Sequence, residues 1–204
     1  MIRSVGILGG TFDPVHMGHL VVAQEVHERL RLDLTVFVPA GIPPHRTGGS
    51  VTNPLTRLKM LEGAIGEDSR FGISTIEIDR PGPSYTVDTL EQMAQERPDD
   101  RMHLVIGDDQ WRRFHTWRSP ERIAELAKLV VVGRNGEAGS RMDLPHQRVE
   151  VPRIDVSSSD IRERVREGRS IRFLVPEPVR RIIEGESLYH EGYSRSGLTR
   201  TKSE

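Results

Sequence analysis

Two histidines spaced three apart, His16 and His19, stand in the stretch GGTFDPVHMGHL (9–20), the part of this chain best equipped for chemistry. An apolar run, Val5 to Leu8, feeds Gly9 and Gly10, and the chain then passes Thr11, Phe12, Asp13 and Pro14. From Leu20 the apolar residues take helical spacing through Val21, Ala23, Val26 and Leu30. This pattern predicts strand, tight turn and helix, with the histidines near the helix start. Glycines at the turn leave no side chain between the backbone and a ligand. A helix N-terminus offers unpaired N–H groups and partial positive charge, which suit an anion. Imidazoles at i and i+3 share one face of the first turn, and Gly18 between them clears space. The chemistry that fits is holding a polyphosphate.

The run GTFDPVHMGH resembles the G-x-F-D-x-x-H-x-G-H signature of the nucleotidyltransferase superfamily, whose members transfer a nucleotidyl group with loss of pyrophosphate. The resemblance implies ATP contacts from Gly9, Gly10, Thr11, Phe12, His16 and His19. Neither a G-x-G-x-x-G fingerprint nor a G-x-x-x-x-G-K phosphate loop occurs in this stretch. A bare histidine pair is otherwise half of a zinc site. With no cysteine in the chain, and no nearby acidic or histidine cluster to complete a tetrahedron, no protein-built metal site is expected.

Further strings extend the resemblance, and two of them narrow it to the nicotinate-mononucleotide adenylyltransferase branch. PAGIPPHR (39–46) must be a loop, and its P-P-H-R implies a phosphate role for His45 and an acceptor contact from Arg46. SYTVDTL (84–90) resembles the branch's acceptor-binding element, which implies Tyr85 and Thr86; Ser84 or Thr86 is the expected helix cap. Gly107 and Asp109 match a G-x-D pattern for the nucleotide, with Asp108 departing from the usually smaller residue and expected to point outward. In WRRFHTW (111–117), Phe114 reads as core, Trp117 matches a tryptophan that stacks on the pyridine ring, and Trp111 has no assigned role. Arg134 matches an acceptor-side arginine, although Asn135 replaces the usual proline after it. VSSSDIRERV (156–165) resembles the superfamily's I-S-S-T-x-I-R element, which implies triphosphate contacts from Ser157, Ser158 and Arg162. His16, His19, His45 and Arg162 are thus the expected catalytic set.

Elements able to position these groups alternate along the chain. Strands are predicted at Thr35–Val38, Phe71–Ile78, Met102–Ile106, Leu129–Val132 and Val149–Val151. Helices are predicted from Asn53-Pro54 with Leu55, Leu58, Leu61 and Ile65 as the buried stripe, after Tyr85-Thr86, from Ser119-Pro120, at 156–165 and from Pro176 to Ile183. From Tyr189 onward no periodicity remains and the chain is expected to fray. Alternation of this kind predicts an α/β architecture, a Rossmann-like doubly wound parallel sheet in a single domain, with the motifs at the strand C-terminal ends. Residues 1–190 are expected to form that domain and 191–204 a polar, flexible tail.

Composition bounds the partners. The chain has 204 residues, is 35% hydrophobic and 29% charged, and carries a net charge of −1, which gives no support to nucleic-acid binding. No apolar run approaches a membrane span, and the start runs straight into the motif, so no membrane association, no cleaved signal and a cytoplasmic location are expected. The resemblance implies ATP and nicotinate mononucleotide as partners, with Mg²⁺ carried by ATP; a homo-oligomer stays open. Alternatives are a non-catalytic nucleotide-binding regulatory module, or an adenylyltransferase acting on nicotinamide mononucleotide or pantetheine phosphate.

Overall fold

Apolar residues on both faces of the strands dictate a sheet covered on both sides. Val5 and Ile7, Val36 and Val38, Leu104 and Ile106, and Leu129 and Val131 join one core cluster, while Leu8, Phe37, Val105, Val130 and Val132 join the other. Near-continuous apolar strands are what a parallel sheet needs when helices cover each face. The structure is a computed structural model that describes residues 2–43, 51–133 and 142–190.

Six strands, β1 (Ser4–Gly10), β2 (Leu34–Pro39), β3 (Phe71–Ile73), β4 (Arg101–Gly107), β5 (Lys128–Gly133) and β6 (His146–Glu150), form one sheet in the order β3-β2-β1-β4-β5-β6. Every adjacent pair is parallel, with Ile7 opposite Leu104 and Ile7 opposite Val36 at the centre. The first cluster lies under α3 (Ile76–Asp79), α4 (Thr86–Glu96), α5 (Asp108–Arg112), a 3₁₀ turn (Phe114–Thr116) and α6 (Pro120–Leu126). The second lies under α1 (Met17–Leu30), α2 (Pro54–Ile65), α7 (Ser158–Arg166) and α8 (Glu177–Gly185). The order reverses between β1 and β4, the place where doubly wound sheets open a crevice for ligands. The doubly wound parallel sheet expected from the sequence is the fold found, and no helix among the described residues is long and apolar enough to cross a membrane.

Local departures from the sequence reading have physical causes. The run from Phe71 stops as a strand at Ile73: the Ser74 N–H still reaches the Phe37 carbonyl (2.9 Å), but Thr75 opens a helical turn in which Ile78 and Asp79 donate to its carbonyl (2.8 and 2.9 Å). Ile76 is buried by that turn, not by alternation. The last strand begins at His146, earlier than expected, since an edge strand tolerates polar His146, Gln147 and Arg148. On α2 the buried stripe is Arg57, Met60 and Leu61, while Leu55 is 61% exposed. Tyr85 occupies the cap position of α4, displacing Ser84 and Thr86 from that role. Leu188 is fully buried and Tyr189 packs on the core, so the chain does not fray there.

Candidate active site

The turn after β1 is shaped from within. Phe12, in left-handed backbone (φ 49°), folds its ring beneath Gly10, where a Cβ would meet it at 2.9 Å. That ring is 2% exposed and stands edge-on to the His19 ring at 5.0 Å, so Phe12 supports the motif from the core and does not line the cavity. His16 caps α1 with extended backbone, and its N–H donates to His19 Nδ1 (3.2 Å). An accepting Nδ1 places the ring proton of neutral His19 on Nε2. The two imidazoles stack with centroids 3.7 Å apart. Burial pushes the His16 imidazole down to about 4, against an upward pull from Asp160. Burial, then the neighbouring His16, pushes His19 down to about 3. Both rings are therefore neutral near pH 7, each with one N–H to offer and no standing charge.

A set of buried polar side chains braces this turn. Arg57, fully buried, donates to the carbonyls of Thr52 (2.9 Å), Thr11 (2.7 Å), Ala40 (2.6 Å) and Gly41 (3.3 Å). One guanidinium thereby joins the loop after β1, the loop after β2 and the entry to α2. Asp13 is 1% exposed and accepts from the Thr52 N–H (3.2 Å) and the Tyr189 hydroxyl (2.7 Å). Burial pushes its carboxyl up, but the hydrogen bonds from Thr52 and Tyr189 and the charge of Arg162 outweigh that and hold it below the usual carboxylate range. Arg162 donates to the Asp13 carbonyl (2.7 Å), and Ser158 Oγ donates to the Pro14 carbonyl (2.9 Å). Ser157 caps α7 by accepting the Asp160 N–H (3.1 Å). The start of α7 is thus brought against the motif, as expected, and its serines and arginine bond to backbone there rather than forming the cavity wall.

The sequence reading missed Arg57 and Tyr189. Arg57 was legible in principle, because it falls at i with Met60, Leu61 and Ala64 at i+3, i+4 and i+7, a cation on a buried stripe. Tyr189 carried no such signal.

Across the sheet edge the lining turns aromatic. Trp117 packs on Phe114 (5.2 Å between centroids), while Trp111 is fully buried against Phe114 and His146 and takes no part in the cavity. Tyr85 leads into α4 beneath the Arg118 guanidinium, 4.8 Å from its ring centroid. The Thr89 N–H is the first in α4 to find an intrahelical carbonyl, that of Tyr85 (3.2 Å), so the preceding N–H groups stay outside the helix ladder. Gly41 and Ser84 tie the loop after β2 to this side through a 2.9 Å hydrogen bond from the Gly41 N–H to Ser84 Oγ. Asp108 does not point outward. Its carboxylate turns along the edge, lies where a Cβ on Gly133 would sit, and pairs with Arg148 (2.9 Å), which offsets its charge.

A cavity of about 940 Å³ joins the two sides. Gly9, Gly10, Thr11, His16 and His19 line one part, Gly107 and Asp109 the middle, and Tyr85, Thr86 and Trp117 the other. His45, Arg46 and Arg134 lie outside the described residues, as does the segment 191–204. Among the described residues no group of three acidic, histidine or cysteine side chains is placed to hold a metal ion.

Comparison with known proteins identifies the family. A family model described as cytidylyltransferase-like matches residues 7–164. A Geobacillus thermodenitrificans protein named "Probable nicotinate-nucleotide adenylyltransferase" is 46% identical over 188 residues, covering 91% of this chain and 86% of that one. A Thermus thermophilus protein of the same name is 43% identical over 185 residues, covering 91% and 98%. The fold is similar to that of the Plasmodium falciparum nicotinic acid mononucleotide adenylyltransferase complexed with NaAD, with a TM-score of 0.76 at 18% identity, covering 92% of this chain and 97% of that one.

Proposed function

The chain belongs to the cytidylyltransferase-like family, and within it to the nicotinate-nucleotide adenylyltransferases, and from that premise we propose that it joins the adenylyl group of ATP to nicotinate mononucleotide, giving nicotinate adenine dinucleotide and pyrophosphate in NAD biosynthesis. One observation carries this reading: a single cavity has a histidine-capped helix start on one side and an aromatic shelf beside unladdered helix N–H groups on the other.

An oxygen of the acceptor phosphate attacks the α-phosphorus of ATP, the bond to the bridging oxygen breaks, and its electron pair leaves with pyrophosphate. The nucleophile is already ionised, so neither a covalent intermediate nor a strong general base is needed. Alignment and stabilisation of gathering negative charge are left to the protein. His19, with its proton on Nε2, donates to a phosphate oxygen, and His16 and the start of α1 supply further donors. Bound triphosphate draws both imidazoles toward protonation, which strengthens those bonds as charge develops. His45 completes the phosphate site; Arg162, Ser157 and Ser158, which bond to backbone behind the cavity wall without ATP, turn to its phosphates when it binds, and Gly107 and Asp109 hold the rest of ATP. Tyr85, Thr86, Trp117, Arg46 and Arg134 receive the acceptor. Magnesium arrives on the triphosphate and needs no protein cage. A cytoplasmic location belongs to the same proposal.

The test is pyrophosphate release from ATP with a panel of acceptors. Nicotinate mononucleotide should turn over fastest, ahead of nicotinamide mononucleotide and phosphopantetheine. Nucleotide binding without turnover of any acceptor would favour a regulatory module instead.

A further inference from the structure

The chain beyond α8 returns to the active-site turn in a way the proposed reaction does not by itself require. The helix ends with the Ser187 N–H on the Glu184 carbonyl (3.2 Å) and the Leu188 N–H on the Ile183 carbonyl (2.9 Å), a Schellman pair. Ser187 (φ 49°) and Tyr189 (φ 68°) both take left-handed backbone that glycine adopts more easily, so this path is held by contacts rather than by local preference. Those contacts are buried Leu188 and the hydroxyl of Tyr189, which donates to Asp13 Oδ1 at 2.7 Å.

We propose that Tyr189 is a positioning residue for adenylyl transfer, its hydroxyl holding Asp13 and thereby the turn that sets the His16–His19 pair. The inference rests on the proposed function for its kinetic readout. Asp13 stands three residues before His16, the cap whose N–H fixes His19. Its carboxylate also takes the Thr52 N–H, and the Thr52 carbonyl is held in turn by Arg57. The Asp13 carboxylate therefore joins the motif, the approach to α2 and the last described turn of the chain. Burial, then the charge of Asp13, pushes the Tyr189 phenol up, so it remains a donor throughout the working range. Removing only its oxygen leaves the ring packed on the core beneath α8 but takes one donor from a buried carboxylate at the hinge of the catalytic turn.

The test compares Tyr189→Phe with Val179→Ala, which opens a cavity at a fully buried position of α8 outside the 9–20 stretch. Tyr189→Phe should lower kcat about tenfold, since small misplacement of reacting groups is costly, with KM for nicotinate mononucleotide nearly unchanged. Val179→Ala should lower Tm at least as far and leave kcat alone. Long-range ¹H–¹⁵N spectra of the imidazoles give a readout independent of turnover: His19 should carry its proton on Nε2 in the wild type and exchange between tautomers in Tyr189→Phe. Unchanged kcat and unchanged imidazole signals in Tyr189→Phe overturn the proposal, as does a loss of kcat that Val179→Ala matches at equal Tm. A wild type without turnover counts against adenylyl transfer, and the imidazole spectra then decide the role of Tyr189 alone.

Discussion

The two sides of the cavity are built to different rules. On the phosphate side, Asp13, His16 and Arg57 are buried, Arg162 and Tyr189 are half-buried, and side chains brace the turn from beneath: Arg57 on four carbonyls, Arg162 on the Asp13 carbonyl, Tyr189 on the Asp13 carboxylate. On the proposed acceptor side, Trp117 and Tyr85 are half-buried and Arg118 is exposed, and in the proposed reaction recognition falls to a ring face and a helix end. The difference follows from where charge changes. Negative charge gathers on the phosphates during transfer, and donors there act best when fixed beforehand, because reorganising them would cost part of what they contribute. A pyridine ring changes little between ground and transition state. Its site needs affinity and selectivity, which stacking and a helix end supply without deep bracing.

Three substitutions or substrates separate these rules, beginning with the largest effect. His19→Ala should lower kcat by about 100-fold or more, as for loss of a donor that strengthens in the transition state. Steady-state kinetics on the folded variant checks it, and wild-type turnover would remove the histidine pair from the mechanism. Next is acid against amide. The first N–H groups of α4 offer donors only, and the Arg118 guanidinium lies close by; a carboxylate satisfies both, whereas a carboxamide turns an NH₂ toward donors. A mismatch of about 1–3 kcal/mol predicts a preference of roughly 10- to 100-fold in kcat/KM for nicotinate over nicotinamide mononucleotide. Equal values would end the helix-terminus account of acceptor choice. Smaller again, Trp117→Ala should raise KM for the acceptor by about tenfold, the worth of one aromatic face, and leave KM for ATP nearly unchanged. A matching rise for ATP would show that the two sides are not separable.

Legibility in the sequence follows the same division. The strand–turn–helix around His16 and His19 and the sheet were readable because each rests on a local pattern, glycines before a helix and apolar strands; Tyr85, Thr86 and Trp117 rest on a resemblance instead, and the structure brings them to one cavity. Bracing was not readable, because it depends on pairs far apart in the chain. Nothing near Tyr189 states that Asp13, 176 positions away, will accept its hydroxyl. The apolar run Phe71, Ile73, Ile76 and Ile78, which reads as one strand although the spacing slips by one after Ile73, misled for a related reason. Periodicity reports which side chains are apolar, and the edge of the sheet decides whether a strand continues. Asp108 looked like an intruder until β6 supplied Arg148 from an edge strand whose polarity resembled a loop.

The smallest predicted effect is on stability against pH, and it too should fall on one side of the cavity. His16 and His19 have folded-state values of about 4 and about 3, lowered from the 6.5 of an open chain, with burial as the first cause. Between pH 6.5 and 4 the unfolded chain binds protons at these rings and the folded chain does not. Stability must therefore fall as pH falls through that window, and gain nothing from these rings above it. Buried His103, also lowered by burial and by Lys128, adds to the same slope. Asp13 does not confuse the comparison, since its lowered carboxyl loses most of its stability as pH falls below the ordinary 3.8, and any loss just above that is common to wild type and variant. His19→Asn keeps an acceptor in place of Nδ1 for the His16 N–H while removing one titrating ring. Its Tm should decline less steeply from pH 6.5 to 4 than that of the wild type, by about a few degrees across the window. Trp117→Ala changes packing but no proton, so it should displace the whole Tm curve without altering its slope. Scanning calorimetry at several pH values reads both. Parallel curves for His19→Asn and wild type would mean that His19 takes up its proton freely in the folded state, and the phosphate side would then be no more firmly closed to water than the acceptor shelf.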